Sequence, residues 1–269
     1  MNHTVPFVLI LAAIILLASS AAQLLVGRVF KHSFLREHHG MVEPLLGVVG
    51  TLYSVLLGFM VGGAMERYED CIANVDQEAN SMTNVFRLAQ GFHKGDRLRI
   101  RKLCRQYAVD VVEKEWPQMR EQINVNGAFG NYQALWEAAL SVQPEDNQRI
   151  VNIQQALLDS LNDMAISRRL RIVASQQTVS IAQWLVIGVG SSITVLFCLL
   201  FPVKRLSFQT FLTGLVSVSL GLNIWLLAEY SSPFTGELAI RPYIFTLNAQ
   251  NAFKRSDMPS RYLQRESAE

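Results

Sequence analysis

The sequence predicts an all-α membrane protein, with four transmembrane helices in two hairpins and an intervening helical-bundle domain. Three observations carry this. Only 17% of the 269 residues are Asp, Glu, Lys or Arg, while 50% are hydrophobic; a soluble domain usually carries about 25% charged residues. The charges are unevenly placed, since residues 64–178 hold 29 of the chain's 46. Finally, Val5–Gly27, Leu45–Met65, Val179–Val203 and Leu206–Ala228 are uncharged. Each is long enough for a helix to cross a hydrocarbon core of ~30 Å, which takes ~20 residues. With 16 Gly and 3 Cys the composition excludes collagen and a disulfide scaffold. A net charge of +2, with bases and acids interleaved, gives no nucleic-acid footprint.

The first stretch has a small-residue run at Ala18–Ala22 like that of a cleavage region. Met1–Val5 lacks Lys and Arg, so it reads as a span rather than a signal peptide. Residues 28–44 link it to the second span, and Lys204 and Arg205 form the turn between the last two. The short loops hold Arg28, Lys31, Arg36, Lys204 and Arg205, and the opposite side holds Arg67, Arg168, Arg169, Arg171 and Arg241. The positive-inside count is therefore tied, and charge alone fixes no orientation.

Beyond the second span, Met65, Tyr68, Ile72, Val75, Ala79, Met82, Phe86 and Ala89 recur at heptad spacing. That spacing predicts a seam buried in a helical bundle. No Pro lies between Pro44 and Pro117, so one helix is expected from Leu45 to about Gln90, ended by Gly91 and Gly95. A second helix reads from Asp96 to about Glu115, with Ile100, Leu103, Tyr107 and Val111 on one face. Trp116-Pro117 is expected to interrupt it. Residues 124–130 read as a loop, and Tyr132, Leu135, Trp136 and Ala139 as a short helix. Pro144, Glu145 and Asp146 open the last helix. Its stripe is Ile150, Ile153, Leu157, Leu161 and Met164, and it is expected to run straight into the third span. The expected division is 1–40, first span and basic loop; 41–90, second span continuing into the domain; 91–178, helical polar domain; 179–229, transmembrane hairpin; 230–269, tail.

Gly47, Thr51, Ser54, Gly58 and Gly62 form a small-residue stripe on the second span, in phase with the seam from Met65. Small residues at this spacing let helices approach closely in lipid. The stripe is either a packing face or a pore-facing strip at the axis of an oligomer. Thr210, Thr213, Gly214, Ser217 and Gly221 make a similar stripe on the fourth span, with Asn223 nearby. Asn223 is read as bonding to another helix, with a part in permeation as the alternative. No span carries a charge at its centre, which argues against a proton-relay pump. His32, His38 and His39, beside Glu37 and Glu43, match no familiar metal-ligand spacing and read as a solvated loop, with His93 at the surface. Cys198 reads as a small hydrophobe, and Cys71 and Cys104 as core neighbours that pair only if the domain is extracytoplasmic. Arg168 and Arg169 are expected to form an ion-pair layer with Glu66, Glu69, Asp70, Asp76 and Glu78. With Arg171 they are also placed to meet anionic headgroups or gather anions. Phosphate-loop, dinucleotide, zinc-protease and nucleophile-elbow motifs are lacking, so neither an enzyme nor a cofactor is expected.

Six segments together carry a resemblance. They are Thr51-Leu-Tyr-Ser-Val-Leu-Leu-Gly-Phe59, Glu66-Arg-Tyr-Glu, Val75-Asp-Gln-Glu-Ala-Asn80, Glu115-Trp-Pro-Gln-Met119, Arg168-Arg169 and Ser232-Pro-Phe-Thr-Gly236. In this order, over about residues 41–245, the chain resembles the bestrophin-like domain family, a bacterial and plant membrane family of unassigned function. The residues that carry the motifs are Tyr53, Glu66, Arg67, Glu78, Trp116, Pro117, Arg168, Arg169, Pro233, Phe234 and Gly236. The family typically has an Asp two residues before Pro-Phe; here Ser231 stands there, with Glu229 two residues earlier. The resemblance implies a relation to bestrophins, which are homopentameric anion channels. It places the domain and termini in the cytoplasm, the spans in a bacterial inner membrane, and the second span at the pore. Gly236-Glu-Leu-Ala-Ile-Arg241 has one acid, so calcium gating is not expected. The expected partners are lipid, further copies of the chain and small anions. The leading reading is an oligomeric channel for small anions. Its rivals are a non-conducting sensor or assembly module and a stator-like, ion-driven motor subunit.

Overall fold

A computed structural model describes residues 4–29, 39–143, 147–200 and 206–248. Every regular element among these is helical: α1 Thr4–Val29, α2 His39–Leu88, α3 Lys94–Asp110, α4 Trp116–Arg120, α5 Phe129–Leu140, α6 Gln148–Gln176, α7 Ile181–Leu200, α8 Leu206–Tyr230 and α9 Tyr243–Leu247. Four helices among the described residues are long and apolar enough to cross a membrane, as the sequence predicts: α1, α2, α7 and α8. Lys31, His32, Arg36, Glu37, His38, Pro144, Glu145, Asp146, Lys204 and Arg205 lie outside the described residues, as do the side chains of His39 and Glu43.

The chain divides into two compact units. The first holds residues up to Tyr68, Thr178–Ser232 and Gly236–Leu238; the second holds Glu69–Gln177, Pro233–Thr235 and the chain from Ala239. In the first unit α1 packs on α8. Gly214 and Gly221 of α8 seat Leu16 and Ile15 of α1, where an added Cβ would collide with either side chain. Thr213 and Ser217 are buried on the same helix, so the fourth-span stripe is a packing face of the kind small residues permit in lipid. The upstream part of α2 meets α7 through Tyr53. Its hydroxyl donates to the Ile187 carbonyl at 2.9 Å and shares a hydrogen bond with Ser191 Oγ at 2.5 Å. Its ring lies against Gly190 so closely that a Cβ there would overlap it. Tyr53, Leu57, Ala64, Ile187 and Leu227 form the apolar core of this unit.

The second unit is a helical domain with its own core, built from Val75, Met82, Ile100, Tyr107, Trp116, Leu157, Leu161, Phe234 and Phe245 among others. Three expectations are corrected here. Trp116-Pro117 does not interrupt the second domain helix. Residues 111–115 form one wide turn, in which the Trp116 N–H donates to the Val111 carbonyl five residues back. The wider turn relaxes the register ahead of Pro117, where an ordinary helix would demand a donor that proline lacks. The last domain helix does not run into the third span: α6 ends at Gln176 and α7 starts at Ile181. The start is set by a capping box. The Gln183 N–H donates to Ser180 Oγ at 3.2 Å and the Ser180 N–H to Gln183 Oε1 at 3.0 Å, which satisfies donors that a helix terminus leaves free. Finally, Met65 and Ile72 are 44% and 36% exposed, while Cys71, Val75, Ala79, Met82, Phe86 and Ala89 are buried. A straight helix turns every 3.6 residues rather than 3.5, so a heptad drifts off the core face.

The Gly190–Tyr53 contact gives a test. Gly190→Ala forces the Tyr53 ring out of place and should lower stability by about 1–3 kcal/mol. Thermal unfolding of purified protein in detergent should show the loss, and Gly188→Ala should be neutral because nothing lies within 4 Å of its Cβ position.

Candidate functional site

In the second unit four helical segments converge on a buried charge cluster. Arg168 and Arg171 stand three residues apart on α6, hence on one face, in line with the core residues Leu161 and Met164. Arg171 is fully buried. Its Nε donates to Glu78 Oε2 at 2.6 Å, and its Nη2 donates to Glu78 Oε1 at 2.8 Å and Glu115 Oε2 at 2.7 Å. Its guanidinium also lies 5.4 Å from the centre of the Trp116 ring. Arg168 Nη2 donates to Glu115 Oε1 at 2.5 Å, and its guanidinium sits 5.8 Å and 5.5 Å from the ring centres of Phe129 and Tyr132. The Tyr107 hydroxyl donates to Glu78 Oε1 at 2.5 Å and the Ala128 N–H to Glu115 Oε1 at 3.2 Å.

Two buried carboxylates therefore face two guanidiniums. Burial alone would raise the Glu115 pKa, but Arg171 and Arg168 more than offset it and hold the group below its ordinary range. Burial and the neighbouring Glu78 push the Tyr107 phenol well above its ordinary value, so it stays a donor. The Arg171 pKa would fall on burial, yet Glu78 and Glu115 raise it. All four carboxylate oxygens accept hydrogen bonds from the protein, so the cluster offers no free ligand or base. It ties α2, α3, the wide turn and α6 together.

Beside it, Trp116 Nε1 donates to the Ile240 carbonyl at 3.1 Å, and the Phe234 ring stands edge-on to Trp116 with centres 5.5 Å apart. The Ile240 N–H returns to the Pro233 carbonyl at 2.8 Å. In the first unit Glu229 Oε2 accepts the Leu238 N–H at 3.0 Å. Gly236 has φ +82° and lies against the Glu229 carboxylate, so a side chain there would be both strained and obstructed.

The third feature is a face of α2. Gly47, Thr51, Ser54, Gly58 and Gly62 are all exposed, and nothing lies within 4 Å of a Cβ built at Gly47, Gly58 or Gly62. About 120° round the helix, Tyr53, Leu57 and Ala64 are buried against the chain's own helices. Between them lie large exposed apolar residues, Leu52, Val55 and Phe59.

A family model of the Bestrophin-like domain matches residues 13–245. The chain belongs to the bestrophin-like domain family. It is similar in fold to the crystal structure of a bacterial bestrophin homologue from Klebsiella pneumoniae carrying a point mutation. The TM-score is 0.72 at 12% identity, over 92% of this chain and 99% of that one. A further crystal structure of that homologue, phased on zinc, gives 0.67 at 12% identity over 90% and 97%. A point variant described as a membrane protein gives 0.69 at 12% identity over 92% and 99%. None of the curated proteins matches this sequence.

The motif residues of this bestrophin-like chain separate into groups. Glu78, Trp116 and Arg168 meet in the charge cluster with Pro117 just beyond it; Pro233 and Phe234 pack against Trp116; Tyr53 and Gly236 belong to the other unit; Glu66, Arg67 and Arg169 are exposed. The expected layer of Arg168 and Arg169 with the acids of α2 is corrected. Arg168 pairs with Glu115, Glu78 pairs with Arg171, and Arg169 makes no ion pair among the described residues. Arg169 is about 100° round the helix from Arg168 and so points away from the core. The spacing of Arg168 and Arg171 in phase with the apolar stripe was the available signal, as was Glu115 following Val111 on its buried face. The inter-helix bond expected of Asn223 is also corrected: its Nδ2 donates to the Ser219 carbonyl one turn back on α8 at 2.9 Å. Cys71 and Cys104 are buried free thiols, and burial pushes that of Cys104 up to about 12. Among the described residues no three His, Cys, Asp or Glu side chains group to hold a metal.

Glu115 gives a pH test. Its folded pKa lies below the ordinary 4.5. Its stabilisation is therefore present above the unfolded value and lost as the pH falls through the folded one. Glu115→Gln should cost about 3 kcal/mol at pH 7 and flatten the acid limb of the stability curve below pH 5. Unfolding followed by circular dichroism from pH 7 to pH 3 should show both effects.

Proposed function

We propose that the protein is an oligomeric channel for small anions in a bacterial inner membrane, a homopentamer with its polar domain in the cytoplasm. The observation that carries this is the small-residue face of α2. Gly47, Thr51, Ser54, Gly58 and Gly62 offer lipid little apolar area, and no helix among the described residues covers them. Leu52, Val55 and Phe59 on the adjoining side suit lipid far better. The small face is thus left for water or for another copy, and both meet at the axis of a ring. From Gly47 to Gly62 it carries no acid, whereas cation channels are commonly selected by rings of Asp or Glu. Membership of the bestrophin-like family supports the anion. A passage of this kind needs no catalytic group and no cofactor.

Purified protein in liposomes should pass chloride or nitrate, read with an anion-sensitive dye. Gly58→Leu adds four carbons to the middle of the face. In a lumen it should cut flux at least tenfold and leave the oligomer intact; at a packing face it should instead loosen the oligomer. An intact assembly that passes no anion at any pH or calcium level would transfer the reading to a non-conducting sensor or assembly module.

A further inference from the structure

α3 carries far more positive charge than the buried cluster uses. From Arg97 to Val109 it has five bases, Arg97, Arg99, Arg101, Lys102 and Arg105, and no acid. α5 packs beside it, and from Phe129 to Leu140 its one acid is Glu137. A cavity of about 330 Å³ opens here, lined by Arg105, Gln106, Val109 and Asp110 of α3, Lys114 of the wide turn and Asn131 of α5. That volume lies at the small end of the range for small-molecule sites. Lys102 stands three and four residues before Arg105 and Gln106, so it shares their face.

The lining is arranged for a negative ligand. Among the described residues Asp110 is the one acid in it, and the protein already occupies that carboxylate. Lys114 Nζ lies 2.6 Å from Asp110 Oδ1, and Asn131 Nδ2 donates to Asp110 Oδ2 at 2.5 Å. Two bases against one acid leave the cavity net positive. The Lys114 side chain is 56% exposed, and an ammonium that gives one N–H to Asp110 has two more to give. Gln106 and Asn131 supply neutral amides, and Val109 supplies an apolar patch.

We propose that this cavity binds a small organic oxyanion, a carboxylate or a phosphate ester on a short carbon skeleton. Lys114 and Arg105 meet its charge, the two amides meet its other polar atoms, and Val109 meets its carbon. The wide turn belongs to this reading, because single wide turns inside helices recur at functional sites. Lys114 stands in that turn one residue before Glu115, which Arg168 and Arg171 hold. An occupied cavity therefore stiffens the turn and stabilises the domain. The site is separate from the small-residue face of α2 and holds whether or not the chain conducts.

The test uses the full chain in detergent. Inorganic phosphate and succinate are titrated separately by calorimetry at fixed ionic strength, and the melting temperature is followed alongside. At least one should bind at millimolar concentration and raise the melting temperature. Gln106→Glu puts a second acid into the cavity from an exposed position and should weaken binding about tenfold. Asp110→Asn removes the competing acid and should tighten binding about threefold. Arg169→Gln removes an exposed base of α6 that does not line the cavity, and should change nothing. A ligand-free melting curve like that of the wild type checks that each variant folds. Binding of phosphate alone identifies the ligand as a phosphate ester, and binding of succinate alone as a carboxylate. No binding of either at about 10 mM, an affinity indifferent to Gln106→Glu, or an equal loss with Arg169→Gln overturns the site.

Discussion

A single fifty-residue helix, α2, has to satisfy two media at once. Its first half is apolar enough to lie in hydrocarbon, where every side chain must face lipid, protein or a water-filled passage. Its second half is part of a charged domain, where the same periodicity must face a core on one side only. The helix meets both demands by dividing its circumference. Tyr53, Leu57 and Ala64 bury against the chain's own spans, and Cys71, Val75, Ala79 and Met82 bury in the domain. Among the described residues no part of the chain covers Gly47, Thr51, Ser54, Gly58 and Gly62, and the channel reading draws on that face.

The buried charge cluster is the domain's answer to a related problem. The domain has a large apolar core of its own, yet it buries Arg171 and the carboxylates of Glu78 and Glu115 as well. Such a cluster adds little net stability over an apolar replacement, because desolvating four charges offsets most of their attraction. What it adds is geometry. A guanidinium holding Glu78 by two parallel bonds and Glu115 by a third accepts few alternative packings of α2, the wide turn and α6.

The fold was largely legible in the sequence, because span length and charge exclusion are strong constraints with few alternative solutions. The four spans, the helical domain and the family follow from residues read one at a time. What was not legible came from side chains far apart in sequence. Glu115 and Arg171 are separated by more than fifty residues, and nothing local announces that they meet. Arg169 looked equivalent to Arg168 because adjacent residues were read together, although a helix turns them to different sides. The break before α7 did have a local signal, the box formed by Ser180 and Gln183, which the apolar run that follows obscured. Ile72 was assigned to the seam by counting in sevens, where the helix itself turns in steps of 3.6.

The central claim is that the small-residue face of α2 meets water in the assembled protein while the adjoining face meets lipid. Cysteine modification during anion flux tests it most directly. Thr51→Cys and Leu52→Cys are neighbours in sequence that stand about 100° apart on the helix. A negatively charged thiol reagent should sharply reduce chloride flux through the Thr51→Cys protein, and a positively charged one should raise it, with no effect on Leu52→Cys. Flux that responds to charge at residue 52 and ignores it at residue 51 would contradict the account.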